Sequence, residues 1–248
     1  MSRANYDTDV TTWSPQGRLF QVEYAVEAVK QGSPVVGLKS KQFVVLCALR
    51  RRGTQLESYQ QKLYKIDEHL GVGVAGLTAD ARVLHRYMRN ACLNHKYVYE
   101  SAMNIGRLAA DIGQKAQKAT QSSSKRPYGV GLLLAGADKT GTHLYETSPT
   151  GQIHDFIAIA IGGRSQSAKT YLERHFETFE DQPIDALVLH AATALSKCLE
   201  QDAEISADNV SLAVVGVDQP YRELTEEEVK TVLAAVPRGA APMEVIQS

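Results

Sequence analysis

Three stretches of this 248-residue sequence, and its scattered histidines, carry residue types that could do chemistry. "GVGVAG" (Gly71, Gly73, Gly76) is a literal G-x-G-x-x-G ahead of a helical pattern, the spacing with which a dinucleotide fold seats a pyrophosphate. That chemistry needs a strand before the first glycine and a carboxylate about 20 residues further on. Here the glycines fall inside an apolar strand pattern and position 96 is lysine, so the run reads as a strand whose glycines let a helix pack closely. "GGRSQSA" (162–168) lacks the G-x-S-x-G spacing of a nucleophile turn and reads as a glycine pair at a strand-to-helix junction. "SSSK" (122–125) matches S-x-x-K only within a polar loop. The histidines at 69, 85, 95, 143, 154, 175 and 190 form no H-E-x-x-H pair and have no cysteine pair beside them, which leaves no metal or cofactor to expect.

Composition excludes further classes. A net charge of -1 gives no basic excess for nucleic acid or an anionic membrane, and the triplet Arg50-Arg51-Arg52 is too short to change that. Cys47, Cys92 and Cys198 are odd in number, widely spaced and set in apolar context, as expected of buried free thiols in a reducing compartment. Residues 1–10 are polar and aromatic, unlike a signal peptide, no apolar run reaches membrane-spanning length, and the sequon at Asn209 opens an apolar strand. The expected location is cytoplasm and nucleus.

The elements that must carry any site follow from periodicity. Ser14-Pro15-Gln16-Gly17 predicts a reverse turn, followed by a helix over 18–31 that Gly32 would close in a left-handed cap. This helix has two apolar stripes: Leu19, Val22, Val26 and Val29 on one side, Phe20, Tyr24 and Ala28 on another. One stripe can pack on the helix's own body, so the second is expected to meet a partner. Apolar runs at 34–39, 43–49 and 71–77 predict strands. A helix capped by Thr78, with Asp80 in its first turn, and another from Ser101 come next. Strands at 128–138, 142–147, 151–156 and 157–162 precede helices near 164–177 and 183–199, a strand at 209–218, and a final helix opened by a Thr225/Glu228 capping box. This order is not βαβα; it suits an α+β chain with two sheets between two helical layers, in one domain over 1–236 with a flexible tail over 237–248.

Tyr6-Asp7, "WSPQGRLFQVEYAVEAVKQG", "AGLTADAR" (75–82), "RPYGVGLLLAG" (126–136) and "GGRSQSAKTYLERH" (162–175) closely resemble the α-type subunits of the 20S proteasome, nearly along the whole chain. The resemblance implies a four-layer αββα sandwich of the N-terminal-nucleophile hydrolase type. It also implies a seven-membered α ring stacked on catalytic β rings, with neighbouring α subunits, β subunits, activators or a regulatory particle, and unfolded substrates in transit as partners.

The same resemblance supplies candidate sites. In β-type relatives the mature chain begins with threonine, whose free amine activates its own hydroxyl. The aligned residue here is Ser33, behind 32 residues and ahead of Pro34, and the aligned acid falls near Leu49, which cannot ionise. The chain is therefore expected to be non-catalytic; the alternative is a processed hydrolase using Ser33. Lys62 matches the catalytic lysine and, in α-type subunits, the lysine of an activator pocket; the competing expectation is an ordinary solvated lysine. A gate segment over 1–13 is implied, held by Tyr6, Asp7, Pro15 and Tyr24, with Phe20 and Tyr24 as ring contacts. Thr8 stands where many α subunits carry arginine, which argues against this tail as a main closing element.

Overall fold

A computed structural model describes residues 6–51, 54, 56–199 and 205–237. Its elements run α1 (Phe20–Gln31), β1 (Val35–Lys39), β2 (Phe43–Leu49), β3 (Leu63–Asp67), β4 (Leu70–Gly76), α2 (Thr78–Tyr99), α3 (Ile105–Thr120), β5 (Val130–Asp138), β6 (Gly141–Thr147), β7 (Ile153–Asp155), β8 (Ala158–Ile161), α4 (Ser165–His175), α5 (Ile184–Ser196), β9 (Val210–Gly216), β10 (Arg222–Glu223) and α6 (Glu226–Ala235). The strands form two five-stranded antiparallel sheets, ordered β10-β9-β2-β1-β8 and β3-β4-β5-β6-β7.

Alternation along the strands builds three apolar layers, because successive side chains leave opposite faces of a sheet. Val45, Cys47 and Leu49 of β2 join Leu172, Phe179, Leu187 and Ala191 under α4 and α5. Val44, Leu46 and Ala48, from the same strand, face Leu133, Ala135 and Leu144 of the other sheet. Leu132 and Leu134 of β5 turn away from those partners to pack on Leu84, Met88, Leu108 and Ile112 of α2 and α3. Helices, sheet, sheet, helices: this is the expected αββα sandwich. Both faces of the central strands are covered, which is why antiparallel strands here read as unbroken apolar runs instead of alternating ones. The three cysteines are free and buried, and burial pushes the Cys92 thiol up to about 12 and Cys198 to about 11.

Several local expectations need correction. The first helix begins at Phe20, not 18, because the Arg18 N–H is taken by Ser14 Oγ at 3.1 Å and Leu19 is extended. Gly32 is not left-handed: its φ is -65° and ψ 153°. Thr78 is the first residue of α2, not its cap, which is Leu77; its hydroxyl instead accepts from Gln60 Nε2. The third helix waits for Asn104, whose side chain caps Arg107 N at 3.0 Å. Strand β3 went unforeseen, since "LYKID" is short and carries an exposed lysine at its centre. Gly71 and Gly73 serve the opposite sheet more than a helix: a Cβ on Gly71 would stand 1.9 Å from the Tyr221 ring, and one on Gly73 2.7 Å from Val35. Arg52 and the tail from 238 on lie outside the described residues.

The turn at 14–17 forms as expected, with Gly17 at φ +73° and its N–H on Ser14 O at 2.9 Å. The Thr225/Glu228 capping box is also present. A buried carboxylate locks α2 to β5. The Asp80 carboxylate, 5% exposed, accepts from both terminal nitrogens of Arg126 at 2.7 Å and from Gly129 N at 2.9 Å, contacts that hold its pKa below the ordinary value. Asp80→Ala is expected to lower the unfolding free energy by about 2–3 kcal/mol near neutrality, as the Gly129 donor is left buried and unpaired. Because the folded-state pKa is depressed, the Asp80 contribution is complete above the ordinary carboxylate range and fades as pH falls through the folded value. Denaturant titrations of wild type and variant should therefore converge at acid pH.

Candidate functional site

The place where a catalytic N-terminus would open in this sandwich is the start of β1. There the chain arrives from α1, which lies across β4 and β5: Cβ atoms placed on Gly129 and Gly131 would meet Ala28 at 3.6 Å and Val29 at 2.9 Å. Gly32 makes the crossing to β1. A Cβ on it would stand 2.2 Å from Gly76 N, and one on Gly76, itself at φ +114°, would stand 2.3 Å from Gly129 O. Gly163 N donates to Gly32 O at 2.7 Å. Ser33 is consequently 6% exposed, flanked by peptide bonds on both sides, with no free amine to act as its base.

Lys62, just before β3, is turned inward and only 3% exposed, so the solvated-lysine expectation does not hold. Its Nζ donates to Ser33 O at 3.3 Å, a contact across 29 residues of sequence. Lost hydration first, and the charge of Arg51 second, pull its pKa from 10.5 down to about 8. Leu49, at the aligned position of the acid, is 7% exposed and packed in the apolar layer under α5. Ser33 and Lys62 are thus brought together, but the lysine binds a main-chain carbonyl, and the third position is hydrocarbon. The arrangement supports a structural tie and not acyl transfer.

The second site lies at the root of the N-terminal segment. Tyr24 OH donates to Asp7 Oδ2 at 3.2 Å, and Gln21 Nε2 donates to the main-chain oxygen of the same Asp7. Tyr6 is half-buried, Thr8 exposed, and Val10 is buried at 5%. Pro15 stands exposed on the turn. Of the four residues expected to cluster, this phenol–carboxylate bond joins two, Asp7 and Tyr24. Phe20 and Tyr24 were expected together on the outward stripe, yet Phe20 is only 5% exposed, stacked on Tyr24 with centroids 6.3 Å apart and covered by the Arg18 guanidinium at 5.0 Å. Tyr24 keeps 41% exposure, so of the pair it is the more accessible ring. Gln21 was missed by the sequence reading, although its i, i+3 spacing to Tyr24 placed both on one helix face.

Removing the buried ammonium tests the Lys62 geometry. Between pH 8 and 10.5 folded Lys62 sheds its proton ahead of the unfolded chain, so stability gains with rising pH from this group. Lys62→Met should lack that gain, and the difference between the two denaturation curves across the window reads it directly.

The profile of the proteasome subunit family matches residues 29–215, and that of the N-terminal signature of A-type proteasome subunits matches residues 6–28. "Proteasome subunit alpha type-1" of Dictyostelium discoideum is 50% identical over 234 residues, covering 94% of each chain. The protein of the same name in Caenorhabditis elegans is 44% identical, covering 99% of this chain and all of its own. "Probable proteasome subunit alpha type-6" of Schizosaccharomyces pombe is 47% identical, over 93% of this chain and 85% of its own.

Proposed function

The chain belongs to the proteasome subunit family, as a non-catalytic α-ring subunit of the 20S core, and from that premise we propose how its parts serve the particle. Assembly with other α and with β subunits follows from the family. We infer that the ring position is that of the alpha type-1 relatives, to which the sequence is similar over nearly its full length. The particle acts as a threonine-type endopeptidase whose cleavage is done by β subunits, on unfolded proteins with or without ubiquitin tags. Its location is cytoplasm and nucleus, and this chain needs no cofactor.

The observation that carries the non-catalytic reading is the junction at Gly32. Helix α1 and the peptide bond before Ser33 occupy the place that a free nucleophilic amine would need, and the contact with Gly76 leaves no room for rearrangement around a side chain. Within the particle, α1 packs its Val29 side on the body and offers Tyr24 to a neighbour. The root at Asp7 sets one part of the gate that admits substrate, and Thr8, exposed, contributes no cation to it. Lys62 is the candidate donor to an activator's terminal carboxylate; such a carboxylate would take the lysine over from the Ser33 carbonyl.

Ser33→Ala in the assembled particle should leave all peptide cleavage rates unchanged, and a hydroxyl-directed covalent inhibitor should label β chains and not this one. Labelling at Ser33 would restore the processed-hydrolase alternative. Tyr24→Asp should reduce incorporation of the chain into rings several-fold in a pulse-chase assembly assay while the free chain stays folded, since a desolvated interface rejects an unpaired carboxylate.

A further inference from the structure

Two histidines meet where α4 and α5 pack together, and neither the Ser33 junction nor the root of the N-terminal segment involves them. His175 is the last residue of α4, and its Nδ1 donates to Tyr171 O one turn back at 2.8 Å. Its ring stacks on that of Tyr171, with centroids 4.3 Å apart. From α5, His190 Nδ1 pairs with Tyr171 OH at 2.9 Å. The two imidazole centroids are 5.7 Å apart. Phe179, fully buried just beyond the end of α4, meets the His190 ring at 63° with centroids 5.1 Å apart. His190 thus faces three residues that follow one another along α4 and the turn after it.

Among the described residues no acid compensates a proton there. Lost hydration first, and the charge of His175 second, hold the His190 pKa below its ordinary value, and no carboxylate contributes. The Tyr171 phenol brings no charge, since burial pushes its own pKa up. From β1 and β2 the layer against α5 is Val36, Leu38, Val45 and Leu49, with the Cys47 thiol, which burial also pushes up. From α6 it is Val229, Val232 and Leu233. Beyond Phe179, Lys41 of the β1–β2 turn pairs with Glu180 and Asp181, all three exposed. Glu173, Arg174, Glu177 and Asp185 are exposed as well, and Lys169 acts on Glu146 of β6. A proton on His190 need not break its bond to Tyr171, because a protonated Nδ1 can donate to the phenol oxygen. What it costs is a charge taken out of water beside a second imidazole, and two charged rings at this separation repel.

We propose that the His175–His190 pair is a proton-sensitive joint: neutral, it closes the end of α4 and the turn over 176–182 onto α5, and on acidification it releases them. The direction follows from linkage. A histidine whose folded pKa is depressed takes its proton more readily in the open form. The joint is therefore tight above the ordinary imidazole range and loosens as pH falls through that range toward the folded value. The segment released is the one anchored by Phe179, so opening puts a buried aromatic ring in water. This device goes beyond the gate and the Ser33 junction and depends on neither.

Hydrogen exchange read by mass spectrometry on the full-length chain in its native assembly tests the joint, at about pH 7.5 and about pH 5.5, with intrinsic rates corrected for pH. Protection of residues 171–182 should fall by a factor of roughly three to ten at the lower pH, since each unit of depressed pKa is worth about tenfold. Helices α2 and α3 should keep theirs. His190→Gln keeps a polar side chain that does not titrate, and should hold its protection at both pH values. His175→Gln should show a smaller fall than wild type, because the charge set against the His190 proton is gone. Unchanged wild-type protection, or an equal loss in α2 and α3, overturns the joint. So does a fall of wild-type size in His190→Gln. If His190→Gln is already open at the higher pH, His175→Gln decides: a smaller fall supports the joint, and a fall equal to that of wild type overturns it.

Discussion

The rest of the structure depends on a contact with no room in it: Gly32 against Gly76. A single Cβ at the first would lie 2.2 Å from the main-chain nitrogen of the second. Closeness of that order lets α1 hand the chain to β1 directly above the ends of β4 and β5, with Gly163 N bonding the same Gly32 at 2.7 Å. Everything functional follows from that handover. It buries Ser33 and denies it a free amine, it aims the Ser33 carbonyl at Lys62, and it sets α1 at the height from which Tyr24 faces outward and Gln21 reaches Asp7.

The sandwich is of the type that the resemblance associates with nucleophilic chemistry, yet its polar groups are not arranged for it. The three apolar layers lie between the sheets and between each sheet and its helices. The departures from acyl-transfer chemistry are local: α1 leads directly into β1, a leucine stands where an acid would be, and a lysine is given to a carbonyl. The ammonium is expensive where it sits, as its depressed pKa of about 8 records. Its hydrogen bond to Ser33 recovers part of that desolvation cost by tying β3 to the chain that enters β1.

Much of this was legible in the residues, for reasons that differ between elements. The two-sheet layering could be read because strands such as "FVVLCAL" are apolar on both faces, which only a doubly covered sheet requires. The turn at 14–17 and the capping box at Thr225 could be read because each is closed by neighbours within four residues. What escaped depends on partners far along the chain. Lys62 looks like a surface lysine until Ser33 arrives over it from 29 residues away. Gly32 looks like a helix cap until β4 is laid beside it. Phe20 and Tyr24 share a stripe, and Phe20, with the Arg18 guanidinium over its ring, is the buried one of the two. Resemblance pointed to the positions; the contacts that each residue makes there needed the fold.

On the function proposed above, this chain enters its particle unprocessed, as a ring member whose α1 stays in front of Ser33. Native mass spectrometry of the particle, isolated through a C-terminal tag on this chain and dissociated so that the tagged subunit is ejected and weighed, measures that directly. The expected result is a large stoichiometric assembly that releases a chain retaining the residues ahead of Ser33. A free monomeric species, or an ejected chain whose mass begins at Ser33, would contradict it.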